Sequence, residues 1–157
     1  QLLGSEPAQY WLKHRYSISF KQMEVFRSGA FVDTMEVCAP WENVQGVYDA
    51  VRKALYSQAF VMAHFSHAYP EGCAVYFTFS SASSGDYKEL IKKYDETWTI
   101  ALRAVNEAGG ALSHHHGVGL NKSSFMISEH GSLLSTYRNI KETIDPKGIM
   151  NPGKMGL

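Results

Sequence analysis

The chain has 157 residues and a mass of 17.6 kDa, enough for one domain with a core and too short for two ordinary ones. Hydrophobic residues make up 45% and charged residues 19%, which is a globular composition and not the polar, highly charged one of disordered chains. Fifteen Lys and Arg balance fifteen Asp and Glu, so there is no broad positive field to meet a phosphate backbone, and nucleic acid is not an expected partner.

The opening QLLGSEPAQYWLKHRYS lacks the basic start and apolar middle of a signal peptide, and no apolar run approaches the ~20 residues of a membrane span. These features predict a soluble, cytoplasmic protein with no transmembrane segment and at most peripheral contact with a membrane. The chain does not begin with Met, and its first residues read as the interior of a longer chain.

Residues Phe31 to Val37 alternate, with Phe31, Met35 and Val37 on one side and Val32, Thr34 and Glu36 on the other, which predicts a half-buried strand. After Pro40, Val44, Val47, Tyr48, Val51, Ala54 and Leu55 recur at helical spacing and predict a helix from Trp41 to Ser57. Ala59 to His67 and Cys73 to Ser80 are β-rich runs joined by Ala68-Tyr69-Pro70-Glu71-Gly72, a turn composition, so they should pair as a hairpin. Cys38 and Cys73 lie on these strands outside any CxxC pair and read as buried free thiols in a reducing compartment. Asp86 and Glu89, three apart, suit the first turn of a helix. Tyr87, Leu90, Ile91, Tyr94, Trp98, Ala101, Leu102 and Val105 would form its apolar face, and Gly109-Gly110 its end. A His-rich segment from Ala111 to Asn121 follows. Leu133, Tyr137, Ile140 and Ile144 then mark a last helix stopped by Asp145-Pro146, and two Pro/Gly turns shape a tail that should dock.

The order strand, helix, strand, strand, helix predicts an α+β fold: a ferredoxin-like antiparallel sheet with helices on one face, then a His-rich loop and a C-terminal helix. Tyr76 and Thr78 should lie on the other face, away from the helices. An uncovered sheet face predicts that the isolated chain pairs with itself as a homodimer or hides that face otherwise.

Three of the seven histidines fall in one string, Ser113-His114-His115-His116-Gly117-Val118-Gly119. Clustered imidazoles serve proton transfer or metal ligation. If the segment is extended, His114 and His116 share one side and His115 faces the other, so the three do not converge on one tetrahedral metal and acid–base work fits better. Gly117 and Gly119 carry no Cβ and would let the backbone approach a ligand. A polar loop with exposed histidines is the competing reading. On their own, His64 and His67 read as a strand-end pair with local hydrogen bonds, Trp41 and Trp98 as core or interface aromatics, and Met35, Met62 and Met150 as packing residues.

The strings GGALSHHHGVG, GCAVYFTF, APW and IDPKGIMNPGK, taken together, resemble the C-terminal region of FAD-linked oxidases of the vanillyl-alcohol oxidase superfamily, from Gly29 to Lys154. The triple His before GVG is similar to the alkyldihydroxyacetonephosphate synthase (alkylglycerone-phosphate synthase) branch and its bacterial relatives, enzymes of ether lipid biosynthesis. The resemblance implies that residues 1–157 are the cap and substrate region with a C-terminal tail, and that the domain binding most of the FAD lies upstream. It places Tyr76, His114, His115 and His116 as catalytic residues. His115 and His116 would be the acid–base pair, His114 would support them, and Tyr76 would be a hydroxyl donor. His116, Gly117, Gly119 and Asn151 would contact the flavin. The implied reaction is redox-neutral: acyl is exchanged for alkyl on a dihydroxyacetone phosphate-type substrate through a flavin adduct, with a small-molecule or lipid-like substrate as partner.

The sister branch, D-lactate and D-2-hydroxyglutarate dehydrogenases, holds a divalent metal with two His and a Glu. Aligned on the glycines, His115 replaces that Glu and His116 its neighbouring His. His64 matches the first hairpin ligand, while Tyr76 stands at the second, so no metal is expected. The synthase branch also carries a substrate-side arginine where this chain has Gln22; Lys21 and Arg27 are the nearby alternatives. Two further functions stay open at this point: net oxidation of a 2-hydroxy acid or alcohol by the same flavin, and a non-catalytic ferredoxin-like domain that binds a metabolite or a partner.

Overall fold

Three strands, β1 (Ala30–Pro40), β2 (Phe60–Ala68) and β3 (Gly72–Ala82), form an antiparallel sheet in the order β1-β3-β2. The structure is a computed structural model that describes residues 4–157; Gln1 to Leu3, at the head of the opening segment, lie outside the described residues. The predicted hairpin is present, with Phe65 opposite Val75 and His64 opposite Tyr76, and β1 closes on the other side of β3 with Glu36 opposite Tyr76.

Helices α3 (Trp41–Leu55) and α4 (Tyr87–Glu107) cover one face of the sheet. Phe31, Met35, Val37, Val75, Phe77 and Phe79 point into that layer and are fully buried, as are Val47 and Val51 of α3 and Leu102 and Val105 of α4. Each large side chain so buried contributes roughly 1.5–3 kcal/mol, which makes this layer the dominant source of stability. Asp86 caps α4 by accepting from the amides of Lys88 (2.9 Å) and Glu89 (3.1 Å), and Gly109 at φ +75° ends it. Asp33 sits on the same face as Phe31. Its carboxylate accepts from the Tyr94 hydroxyl (2.6 Å) and from Trp98 Nε1 (3.1 Å), which ties β1 to α4.

Several expectations are corrected. Tyr87 and Ile91, expected on the apolar face of α4, are exposed, whereas Leu90 beside them is buried. Trp41 is also exposed, its indole donating to the Tyr69 carbonyl (2.8 Å), and Met62 and Met150 stand in solvent. Ahead of the sheet lie two helices the sequence reading did not resolve, α1 (Glu6–His14) and α2 (Ile18–Arg27). Gln22 of α2 donates to the carbonyl of Val32 (2.8 Å), tying α2 to the edge strand β1.

After α4 the chain crosses to the second face of the sheet, and one short 3-10 turn (Ser123–Phe125) leads to α5 (Met126–His130) and α6 (Leu133–Ile144). The stripe Leu133, Tyr137, Ile140 and Ile144 does mark α6, yet all four residues are exposed and only Leu134 of this helix is buried. The tail is pinned by Asp145. Its carboxylate accepts from Lys141 Nζ (2.7 Å) and from the amides of Ile149 (3.1 Å) and Met150 (2.9 Å). Among the described residues, no helix is long and apolar enough to cross a membrane.

Candidate functional site

Strand register builds the first half of the site. Glu36 of β1, Tyr76 of β3 and His64 of β2 are direct cross-strand neighbours, so a carboxylate, a phenol and an imidazole lie in one row on the face opposite the helices. Tyr76 therefore points where the alternation predicted. Its hydroxyl donates to Thr34 Oγ1 at 3.0 Å, and its ring stacks on His64 with centroids 4.8 Å apart. Farther along the same face, Val32, Phe60 and Met62 remain exposed.

The second half comes from the loop after α4. Ala111 forms an isolated antiparallel bridge with Cys38, exchanging both backbone hydrogen bonds (2.7 and 3.0 Å), so the loop continues along the free edge of β1. It then folds over Glu36. The amides of His114 (3.1 Å), His115 (3.0 Å) and His116 (3.3 Å) all donate to this one carboxylate, which has no exposed surface. Lys122, 3% exposed, donates to the Glu36 carbonyl at 2.7 Å and brings its ammonium within 3.9 Å of Oε2. Burial would raise the Glu36 carboxyl, but the three amides and Lys122 outweigh it and hold the group below its ordinary value. Burial pushes Lys122 in turn below the usual lysine range, against the opposing pull of Glu36 and Glu129.

This cradle overturns the extended reading of the triplet. Three consecutive amides can converge on one carboxylate only if the backbone turns, so the side chains do not alternate. His114 Nδ1 and His115 Nδ1 are 3.1 Å apart, and the rings of His115 and His116 meet edge to face at 4.6 Å. The ring of His116 reaches Tyr76 at 5.1 Å, also edge to face. The phenol and the imidazoles thus share one side of the fold. His64 and His67 belong to this cluster as well: His67 keeps a local contact with Ser66 Oγ (3.2 Å), but its ring packs on His115 at 4.3 Å. Partial burial draws His116 below the ordinary histidine value, and His115, Lys122 and His67 act the same way against the pull of Glu36.

Gly117 (φ +77°) and Gly119 (φ +57°) follow the triplet in the left-handed region, and a Cβ built on either meets nothing within 4 Å. They are needed for the turn, and the space beside them is open. Asn151 takes φ +46° in the tail, where its carbonyl accepts from the Lys154 amide at 3.3 Å; it makes none of the hydrogen bonds that hold the cluster. Beside His114 an apolar cleft of about 370 Å³ opens between Tyr69, Pro40, Cys38, Cys73 and Ala111. Glu36, His114 and His115 each bring a ligand atom within 4.8 Å of the other two, a metal-compatible grouping among the described residues. Glu36 and Lys122 are the residues sequence reasoning missed. The one signal was a carboxylate in the middle of an otherwise apolar strand, in the same alternation class as Thr34.

The sequence pattern of the family described as FAD linked oxidases, C-terminal domain, matches residues 4–155. An alkyldihydroxyacetonephosphate synthase of Dictyostelium discoideum is 31% identical over 161 aligned residues, covering 98% of this chain and 26% of the relative. A mitochondrial D-lactate dehydrogenase [cytochrome] of Arabidopsis thaliana is 26% identical over 121 residues, 76% of this chain and 21% of the relative. A solved structure of alkyldihydroxyacetonephosphate synthase superposes with a TM-score of 0.59 at 25% identity, covering 92% of this chain and 23% of that one. The chain spans about a quarter of the length of these relatives.

Proposed function

The chain belongs to the FAD-linked oxidase C-terminal domain family, and from that premise we propose that it forms the catalytic wall of an FAD-dependent enzyme of the alkyldihydroxyacetonephosphate synthase kind. The reaction would exchange acyl for alkyl on a dihydroxyacetone phosphate-type substrate. The observation that carries this reading is the meeting of Tyr76 and His116, ring centroids 5.1 Å apart, on a sheet face the helices leave uncovered. Such chemistry needs a proton taken from carbon beside a carbonyl, and an imidazole whose proton affinity is drawn below the ordinary value is neutral, and so able to accept it, near neutral pH. The Tyr76 hydroxyl, held by Thr34, supplies a proton donor to oxygen on which negative charge builds.

The residues suit a flavin as one wall of its site. Open space beside Gly117 and Gly119 and an exposed imidazole surface next to it accept a flat aromatic ring without a Cβ in the way. His116, Gly117, Gly119 and Asn151 are the residues proposed to contact it, with an upstream domain holding the rest of the FAD. When bound, FAD supplies the electron-accepting ring system. Glu36 and Lys122 keep the histidine loop closed against the sheet, and Gln22 is engaged with the Val32 carbonyl, so an anionic head group would have to be met by other cations.

In the full-length flavin-loaded protein, substrate is expected to bleach the flavin absorbance. His116→Ala and Tyr76→Phe should each suppress that change, and a bleaching unaffected by both would defeat the assignment. The kinship with D-lactate dehydrogenase supports a second reading, net oxidation of a 2-hydroxy acid or alcohol. Stoichiometric reduction of an acceptor dye during turnover separates the two, since acyl-for-alkyl exchange is redox-neutral.

A further inference from the structure

His115 Nδ1 lies 3.2 Å from Glu36 Oε1 and 3.1 Å from His114 Nδ1. Groups this close must share hydrogens without two donors facing each other. Glu36 Oε2 already accepts the amides of His114 and His116, and Oε1 accepts that of His115. Three amide donors and the Lys122 ammonium at 3.9 Å favour the ionised carboxylate, which can only accept. A lone pair on His115 Nδ1 would be repelled by the carboxylate at 3.2 Å, so the hydrogen that the two imidazoles share belongs to His115 Nδ1, which is nearer Glu36 Oε1 than His114 Nδ1 is (3.8 Å), and His114 Nδ1 turns a lone pair toward it.

We propose that Glu36 is a positioning residue that fixes His115 as the Nδ1–H tautomer, leaving its Nε2 as the free proton acceptor, and through His115 fixes His114 as the Nε2–H tautomer. The arrangement follows the general logic by which a buried carboxylate orients an imidazole and decides which nitrogen does the work. It also gives a reason for an acid in the middle of the strand: one carboxylate shapes the loop through three amides and sets the ring through a fourth contact. The consequence for turnover rests on the proposed function and on the expectation that His115 works with His116 as an acid–base pair; the tautomer assignment does not.

Long-range 1H–15N correlation on the uniformly 15N-labelled full chain near neutral pH reads the tautomers directly. The expected result is Nδ1 protonated and Nε2 bare at His115, and the reverse at His114. In Glu36→Gln the amide group has to place its NH2 against either the loop amides or His115 Nδ1, so the His115 signal should leave the Nδ1–H form. Glu36→Asp, which keeps the charge, should retain part of it. A wild-type His115 that is Nε2–H or doubly protonated overturns the proposal, as does an unchanged tautomer in Glu36→Gln. The wild-type spectrum decides even if that variant does not fold. In the full-length flavin-loaded protein, Glu36→Gln should lower kcat by about 10- to 100-fold with KM little changed. A switched tautomer with unchanged kcat would refute a part for His115 in the acid–base pair, while His116 as the proton acceptor and the pairing with Glu36 stand.

Discussion

Lys122→Met tests whether the histidine loop is held by a buried ion pair or by backbone amides alone. Methionine fills a similar volume, so the variant removes charge without opening a cavity. It loses a hydrogen bond from an ammonium to the Glu36 carbonyl at 2.7 Å, a contact of about 1.5–3 kcal/mol. It also loses the attraction across 3.9 Å to the carboxylate, which is about 4 kcal/mol gross at an effective dielectric constant near 20. Against both stands the several kcal/mol released by no longer burying an ammonium. Because three amides still neutralise Glu36, the cost should fall at the low end for breaking a buried pair, about 3 kcal/mol. Urea unfolding near neutral pH, followed by tryptophan fluorescence and by circular dichroism, measures it for Lys122→Met, Glu36→Gln and the double variant. The double variant should cost about 1–2 kcal/mol less than the sum of the singles. A single-variant cost below about 0.5 kcal/mol with no coupling would show that Lys122 is not part of the cradle.

Acidification should destabilise the protein in two windows. Above pH 6.5 neither form of the chain protonates His116, whereas below it the unfolded chain takes the proton first, so stability is lost as pH falls through the lowered folded value; His116→Asn should flatten that step in a melting-temperature series. Glu36 contributes fully above its ordinary 4.5 and loses that contribution as pH falls through its depressed folded value, a lower step that Glu36→Gln should remove. Tyr94→Phe deletes the 2.6 Å donor to Asp33 and the acceptor for Asn121 Nδ2 (3.1 Å), and should cost about 1.5–3 kcal/mol in urea unfolding; a neutral result would mean that Asp33 finds other partners. The same variant should abolish a phenol titrating at about 12 in the ultraviolet difference spectrum. Gly117→Ala meets open space, so its cost is the left-handed backbone alone, about 1–2 kcal/mol, and a neutral or stabilising change would contradict the turn. Asp145→Asn should speed hydrogen exchange at the amides of Ile149 and Met150 while leaving those of α3 and α4 protected.

Two apolar surfaces are exposed. The α6 stripe and the sheet residues Val32, Phe60 and Met62 all lie outside the layer formed by the sheet with α3 and α4. Their spacing is that of buried elements, while their surroundings in this chain are solvent. The upstream FAD-binding domain proposed above is a partner that could cover such surfaces.

The local elements of this protein were legible in its residues. Alternation in β1, the Pro-Gly turn of the hairpin, the three-and-four spacing of α3 and α4, the Asp86 cap and the glycine stop are short-range rules, obeyed by the backbone whatever it packs against. The string of three histidines before two glycines pointed to the site for a similar reason, since that composition has few uses in a core. Its geometry was not legible. An extended segment and a turn have the same residues, and what selects the turn is a carboxylate 78 positions earlier in the chain, seated opposite Tyr76 by strand register. Glu36 reads as solvent-facing from alternation alone. It is buried because the loop after α4 returns to the free edge of β1 and covers it, and a charge can stay there because three amides and an ammonium arrive together. The sequence specifies each of these groups; only the packing of distant segments brings the compensating partners within hydrogen-bond range.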